Sequence, residues 1–182
     1  MWIWVVLAVV AVLVLWVVGV FNRLIVLRTR VEEAWADIEV QLKRRYNLIP
    51  NLVNTVKGYA GHEKEVFEKV TQARASAMGA TGMADKAQAE NMLSSTLKSL
   101  FAVAENYPQL KANENFMQLQ KELTDTEDKV QYSRRFYNTN VRDYNIKTQT
   151  VPSNVIANMF GFKKKDMFEA EAAAREVPKV QF

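Results

Sequence analysis

The sequence predicts an all-α protein: a single N-terminal transmembrane helix followed by an antiparallel four-helix bundle with a long, proline-kinked first helix. Three observations carry this. Met1 to Phe21, MWIWVVLAVVAVLVLWVVGVF, is apolar sequence without a charge. From Val31 the apolar positions Val31, Trp35, Ile38, Leu42, Tyr46, Ile49, Val53, Val56 and Ala60 recur with a mean step of about 3.6 residues, the straight-helix period and not the 3.5 of a coiled-coil seam. No stretch alternates apolar and polar residues for long enough to mark a strand.

The first segment, residues 1–21, is long enough to cross a bilayer, since a helix rises about 1.5 Å per residue and the hydrocarbon core is roughly 30 Å thick. Trp2, Trp4 and Trp16 can anchor it near the interfaces, with Trp16 rather deep for that role. A cleaved signal peptide would carry a basic start and a small-residue cleavage site, and the segment has neither. A buried core helix is the other alternative. Arg23, Arg28 and Arg30 follow the span closely, so the positive-inside rule puts the amino terminus outside and the body in the cytoplasm.

The bundle domain is expected over residues 22–150. Its first long helix, 22–60, keeps its hydrophobic phase across Pro50, so the proline is expected to kink the helix without ending it. Gly58 and Gly61 then loosen the chain. A shorter helix over 62–78 carries Val66, Phe67, Val70 and Ala73, with acids in its first turn that suit the positive helix end. GATGMAD, Gly79 to Asp85, reads as a linker ending in an Asp85 cap. The next helix, 85–106, presents Met92, Leu93, Leu97, Leu100 and Val103 and ends before Tyr107-Pro108.

Asn113 is the expected start of the second long helix, 113–149, whose face runs through Phe116, Leu119, Leu123, Val130, Tyr137, Val141 and Tyr144. Thr126 and Ser133 stand where core residues are expected. Pro152 ends the run. Within 151–182, Ser153 is expected to cap a short amphipathic helix, SNVIANMF, stopped by Gly161.

Pro50 poses a question, because a proline inside a helix leaves the carbonyl four residues back without its hydrogen bond. Asn47, Asn51 and Asn54 form a polar stripe beside the apolar one. Tyr137, Asn138, Tyr144 and Asn145 on the later helix offer hydroxyls and amides that could satisfy the freed carbonyl. Alternatively, the asparagines face water and the kink only curves the helix. Arg45 flanks the apolar stripe and could snorkel or pair with an acid on a facing helix; Arg44 beside it matters little if exposed.

Composition excludes several functions. There is no cysteine, hence no disulfide framework, thiolate metal site or cysteine nucleophile. A formal net charge of +4 is too small and dispersed to argue for nucleic acid. The single histidine, His62, lies in HEKE, which lacks the second histidine of a zinc-protease helix motif and reads as a solvated helix start. No phosphate-binding glycine motif is present. Glu127 and Asp128 read as a solvated helix face. Neither catalytic nor cofactor-binding nor metal-ligating residues are expected, and the protein is expected not to be an enzyme.

An interaction surface is expected at MFGFKKKDMF, where Phe160, Phe162, Met167 and Phe168 surround Lys163, Lys164 and Lys165. Such a cluster could dock on an anionic membrane surface or pack into a neighbouring subunit. It could equally be a packed tail with a solvated lysine run. REVPKVQF could add to a partner as an extended segment.

Taken together, RRYNLIPNLV, GYAGHEKEVFEKVTQAR, AENYPQLKANENFMQLQKEL, PSNVIANMFGF and REVPKVQF resemble the LemA family of bacterial membrane proteins over nearly the whole chain after the anchor. Asn47 stands where that family would more often have aspartate. The resemblance implies a bacterial cytoplasmic (inner) membrane protein with one N-terminal helix and a helical-bundle domain, and no agreed activity, so it brings no catalytic residues. The expected function is a non-enzymatic, membrane-anchored scaffold acting through protein contacts as a homo-oligomer, held in the bilayer by residues 1–21. The alternatives are a membrane-surface binding or remodelling module, or a regulatory partner of another membrane protein.

Overall fold

The computed structural model describes residues 1–168 of the 182-residue chain. Those residues are helical and contain no strand. Six helices follow in order: α1 (Trp2–Lys57), α2 (Lys64–Gly79), α3 (Met83–Glu105), α4 (Pro108–Lys111), α5 (Glu114–Gln149) and α6 (Ser153–Met159). REVPKVQF lies outside the described residues.

Helix α1 is 56 residues long and passes through Pro50 without a break, as the unslipped hydrophobic phase requires. Its first part stands in the open: Leu7 is 54%, Val12 65% and Leu15 71% exposed. A core helix of a water-soluble protein hides such side chains, so the exposure argues against that alternative. The helix is long and apolar enough to cross a membrane. From Val20 onward one side of α1 is buried at Leu24, Leu27, Val31, Ala34, Ile38, Leu42, Tyr46, Ile49, Val53 and Val56. Trp35 is half-buried, and Ala34 beside it takes the innermost place.

The chain forms two compact units, both of which draw on α1 and α5. The first comprises Met1–Ile38 and Ser133–Met167. Its core holds Leu24, Leu27, Val31, Tyr137, Val141, Tyr144, Ile156 and Phe162, and Trp35 meets Tyr137 edge-on at 5.6 Å between ring centroids. Each such large side chain contributes roughly 1.5–3 kcal/mol by leaving water. Gly161, at φ +72, turns the chain after α6 in a conformation that a side chain would strain. The Phe162 amide then donates back to the Ala157 carbonyl at 2.9 Å and closes the helix end.

The second unit is formed chiefly by Glu39–Tyr132. Helices α2 and α3 pack along each other, and the core includes Leu52, Val56, Phe67, Val70, Leu93, Leu97, Leu100, Leu110, Phe116 and Leu123. Several local expectations need correction here. Helix α3 starts at Met83, so Asp85 lies inside its first turn and does not cap it. Met92 is 55% exposed and not a core residue. Pro108 opens the short helix α4, where its missing N–H costs nothing. Asn113 does act at the start of α5: its side-chain oxygen accepts the Phe116 amide at 3.0 Å. Thr126 is tolerated on the core face because its hydroxyl donates to the Glu122 carbonyl at 2.6 Å.

Candidate functional site: a buried charge cluster

At the centre of the second unit Arg45 is 1% exposed. An isolated buried charge costs several kcal/mol or more, so it must be answered. One guanidinium nitrogen pairs with the Glu90 carboxylate of α3. The other pairs with Glu127 of α5 and also donates to the Ser94 hydroxyl at 3.0 Å. Ser94 in turn donates to Glu127 at 3.2 Å. One planar fork thus holds groups from two other helices, a task suited to arginine and not to lysine. Glu127 is about one-third exposed and Glu90 1% exposed.

Tyr46 completes the cluster. Its hydroxyl donates to Glu90, and burial, reinforced by that bond and the Glu90 charge, pushes its phenol far above the ordinary range. Lys86 donates to the Ala77 carbonyl at 2.7 Å, lies 4.0 Å from Glu90 and sits over the Tyr46 ring at 5.5 Å.

The carbonyl freed by Pro50 belongs to Tyr46, and it has a partner. Arg74 of α2 donates to it from Nε at 2.8 Å. The donor comes from α2 and is none of the later-helix side chains expected to supply it. Asn47, Asn51 and Asn54 are exposed; Asn51 and Asn54 line an open groove with Thr55, Asn115, Gln118, Leu119 and Glu122. Tyr137, Tyr144 and Asn145 are turned elsewhere, as described below. The physical reason is reach: a long arginine on the neighbouring helix spans the gap to the backbone, whereas amides on the water side cannot. Arg44 is exposed and lies 4.0 Å from Glu122. His62 is exposed, and among the described residues no group of three or more His, Cys, Asp or Glu side chains could hold a metal ion.

In the first unit, α5 grips the segment after α6. Tyr137 and Tyr144 donate to the carbonyls of Asp166 and Lys163, each at 3.0 Å. The Asn145 amide donates to the Lys165 carbonyl at 2.8 Å and accepts the Lys165 amide at 2.9 Å. Burial raises the phenols of both tyrosines above their ordinary value. Lys165 also lies 3.6 Å from Glu32. The expected interaction surface is therefore divided. Phe162 and Phe168 are buried and unavailable to a partner, while Phe160, Lys163, Lys164 and Met167 are exposed and Lys165 is intermediate.

Sequence reasoning passed over Glu90, Arg74, Lys86 and Ser94, read Tyr46 only as part of the apolar stripe, and placed Glu127 with the solvated acids. The corrected position of Glu127 follows from the pull of Arg45. For Glu90 a signal existed: it lies three residues before Leu93, on the face that continues through Leu97 and Leu100. An acid on an apolar face needs a buried cation.

These features define a class: an all-helical protein with an apolar helix able to cross a membrane and a body in which the buried Arg45 and Glu90 are turned on one another. The model of the LemA family matches residues 34–182, and the chain belongs to that family. It is 25% identical over 159 residues to Protein LemA of Metamycoplasma hominis, covering 87% of this chain and 73% of that protein. It is also 25% identical over 179 residues to Magnetosome protein MamQ 1 of Paramagnetospirillum magneticum and to Magnetosome protein MamQ of Magnetospirillum gryphiswaldense. Each match covers 84% of this chain and 66% of the relative, so the chain spans a little under two thirds of the length of these magnetosome proteins.

Proposed function

We propose that the protein is a non-enzymatic scaffold, anchored by residues 1–21 in the bacterial cytoplasmic membrane and acting through protein contacts as a homo-oligomer. The observation that carries this reading is the use made of the interior charges. The buried Arg45 and Glu90 pair with each other, and Arg45 pairs also with the partly exposed Glu127, so that charges whose burial would suit chemistry tie helices together. The names of the relatives, LemA and magnetosome protein, describe no reaction.

The body is an antiparallel four-helix bundle in this reading. Two pairings support the arrangement of its long helices: Arg45 with Glu127, and Tyr59, whose hydroxyl accepts from Asn113 at 3.0 Å. From Arg45 to Tyr59, in the turn just after α1, the chain advances by as many residues as it retreats from Glu127 to Asn113, just before α5. The exposed Arg23, Arg28 and Arg30 after the span favour an amino terminus outside and a cytoplasmic body. Light scattering and negative-stain microscopy of the detergent-purified full chain test the reading. A defined ring, cage or other large assembly is the expected result; a monomer would sink self-assembly as the function.

A further inference from the structure

Helix α6 carries an unusual distribution of apolar groups. It buries Ile156 and Ala157, yet Val155 is 57%, Met159 69% and Phe160 51% exposed, with Val151 just before it 81% exposed. A seven-residue helix that leaves Val155 and Met159 mostly in the open is made to meet something else.

Its position says what. The Phe160 ring packs edge-on against Phe21 at 4.8 Å between centroids, and Phe162 does the same at 5.7 Å. Phe21 is the last residue of the apolar run. At about 1.5 Å per residue, a run of that length spans the roughly 30 Å hydrocarbon core. The C-terminal end of α6 therefore sits at the depth where hydrocarbon gives way to headgroups. Cationic groups are arranged accordingly: Arg23, Lys163 and Lys164 are exposed, and Arg28 lies over the Phe162 ring at 5.6 Å. Aromatic and aliphatic groups edged by free cations match an anionic bilayer interface.

We infer that α6 and the exposed groups around it form a second membrane contact, lying in the interfacial layer of the leaflet that receives the body. This rests on the reading of residues 1–21 as the span. The segment is braced for the role. The one Ser153 hydroxyl proton is shared between the Lys147 and Thr150 carbonyls, at 2.7 and 2.9 Å, and α5 holds Lys163, Lys165 and Asp166 through their backbone. A span alone leaves the body free to rotate and tilt; a contact off the span axis removes part of that freedom.

The absence of native cysteine makes the test direct. Single-cysteine variants of the full chain, Val155→Cys, Met159→Cys, Val10→Cys and Asp37→Cys, are labelled with bimane. They are reconstituted in phosphatidylcholine–phosphatidylglycerol vesicles holding nitroxide lipids. All four positions are exposed in the folded chain, so the labels do not disturb its core. The expected result is quenching by a shallow nitroxide at Val155 and Met159 at least about twofold that at Asp37, with a deep nitroxide quenching Val10. Adding Met159→Glu should bring quenching at Val155 down to the Asp37 level while the melting temperature stays unchanged. Quenching at Val10 but not at Met159 would overturn the inference and leave the span standing. Failure to quench Val10 would overturn both. A Met159 label shielded from lipid nitroxide and aqueous iodide alike would overturn it in favour of a protein partner or a second copy.

Discussion

Replacing Arg45 with methionine removes the cation at the centre of the charge cluster while keeping most of its volume. Glu90 then remains 1% exposed, with the Tyr46 hydroxyl and a Lys86 amine 4.0 Å away as its remaining partners. Breaking a buried pair by removing one partner typically costs about 3–5 kcal/mol. Glu127 adds little, because it is about one-third exposed and can turn to water. For a domain of this size each kcal/mol lowers the melting temperature by about 2–4 °C, so Arg45→Met should melt about 6–20 °C below the parent. Circular dichroism of the detergent-solubilised full chain reads the change. Adding Glu90→Met should return most of the loss, since a buried pair replaced by apolar groups of similar volume is often close to neutral. Arg45→Lys should fall between, because a single ammonium cannot span Glu90, Glu127 and Ser94. An Arg45→Met protein melting within about 2 °C of the parent would refute the claim that this pairing holds the helices.

Arg74→Met should cost about 1–3 kcal/mol by leaving the Tyr46 carbonyl unpaired, and clearly less in a Pro50→Ala background, where the new N–H restores the helical bond; equal costs in both backgrounds would show that Arg74 does not serve the proline. Asn145→Ala, which deletes two hydrogen bonds to Lys165, should speed tryptic cleavage at Lys163–Lys165 by about tenfold or more; unchanged cleavage would mean the segment is held by its apolar contacts alone. Tyr46, Tyr137 and Tyr144 have raised phenols, so the folded state keeps protons that the unfolded state releases. Their stabilisation is complete below the ordinary phenol value of about 10 and falls as pH rises above it. Tyr46→Phe should flatten that alkaline loss of melting temperature, and an identical pH profile would exclude Tyr46 as a contributor.

The fold was legible where a single period dominates. The apolar spacing from Val31 to Ala60 forecast one continuous helix, and the structure carries α1 straight through Pro50. The start of the buried stripe was not legible, because Val20, Leu24 and Leu27 merge into sequence that is apolar on every side. The charge cluster was half legible. Arg45 stood beside the stripe, but which acid answers it depends on how three helices are brought side by side. Helical period does not reveal that, and one heuristic misled: adjacent acids such as Glu127 and Asp128 do face water most of the time. The donor for the proline-freed carbonyl was missed for a related reason. Matching helical spacing points to polar residues on facing stripes, whereas a flexible arginine needs only to be within reach.

The guanidinium of Arg45 also sets the axial alignment of its neighbours. A slip of one helical turn is about 5.4 Å, far beyond the span over which a hydrogen bond survives. Sliding α3 along α1 by that much would strand the buried Glu90 carboxylate, and sliding α5 would part Glu127 from the guanidinium, whereas leucine packing can be rebuilt one turn along at much smaller cost. The cluster therefore acts as a ratchet pawl: it sets the depth at which the helices mesh. Whatever load reaches α1 at residue 45 is passed to α3 and α5 together, without slippage between them.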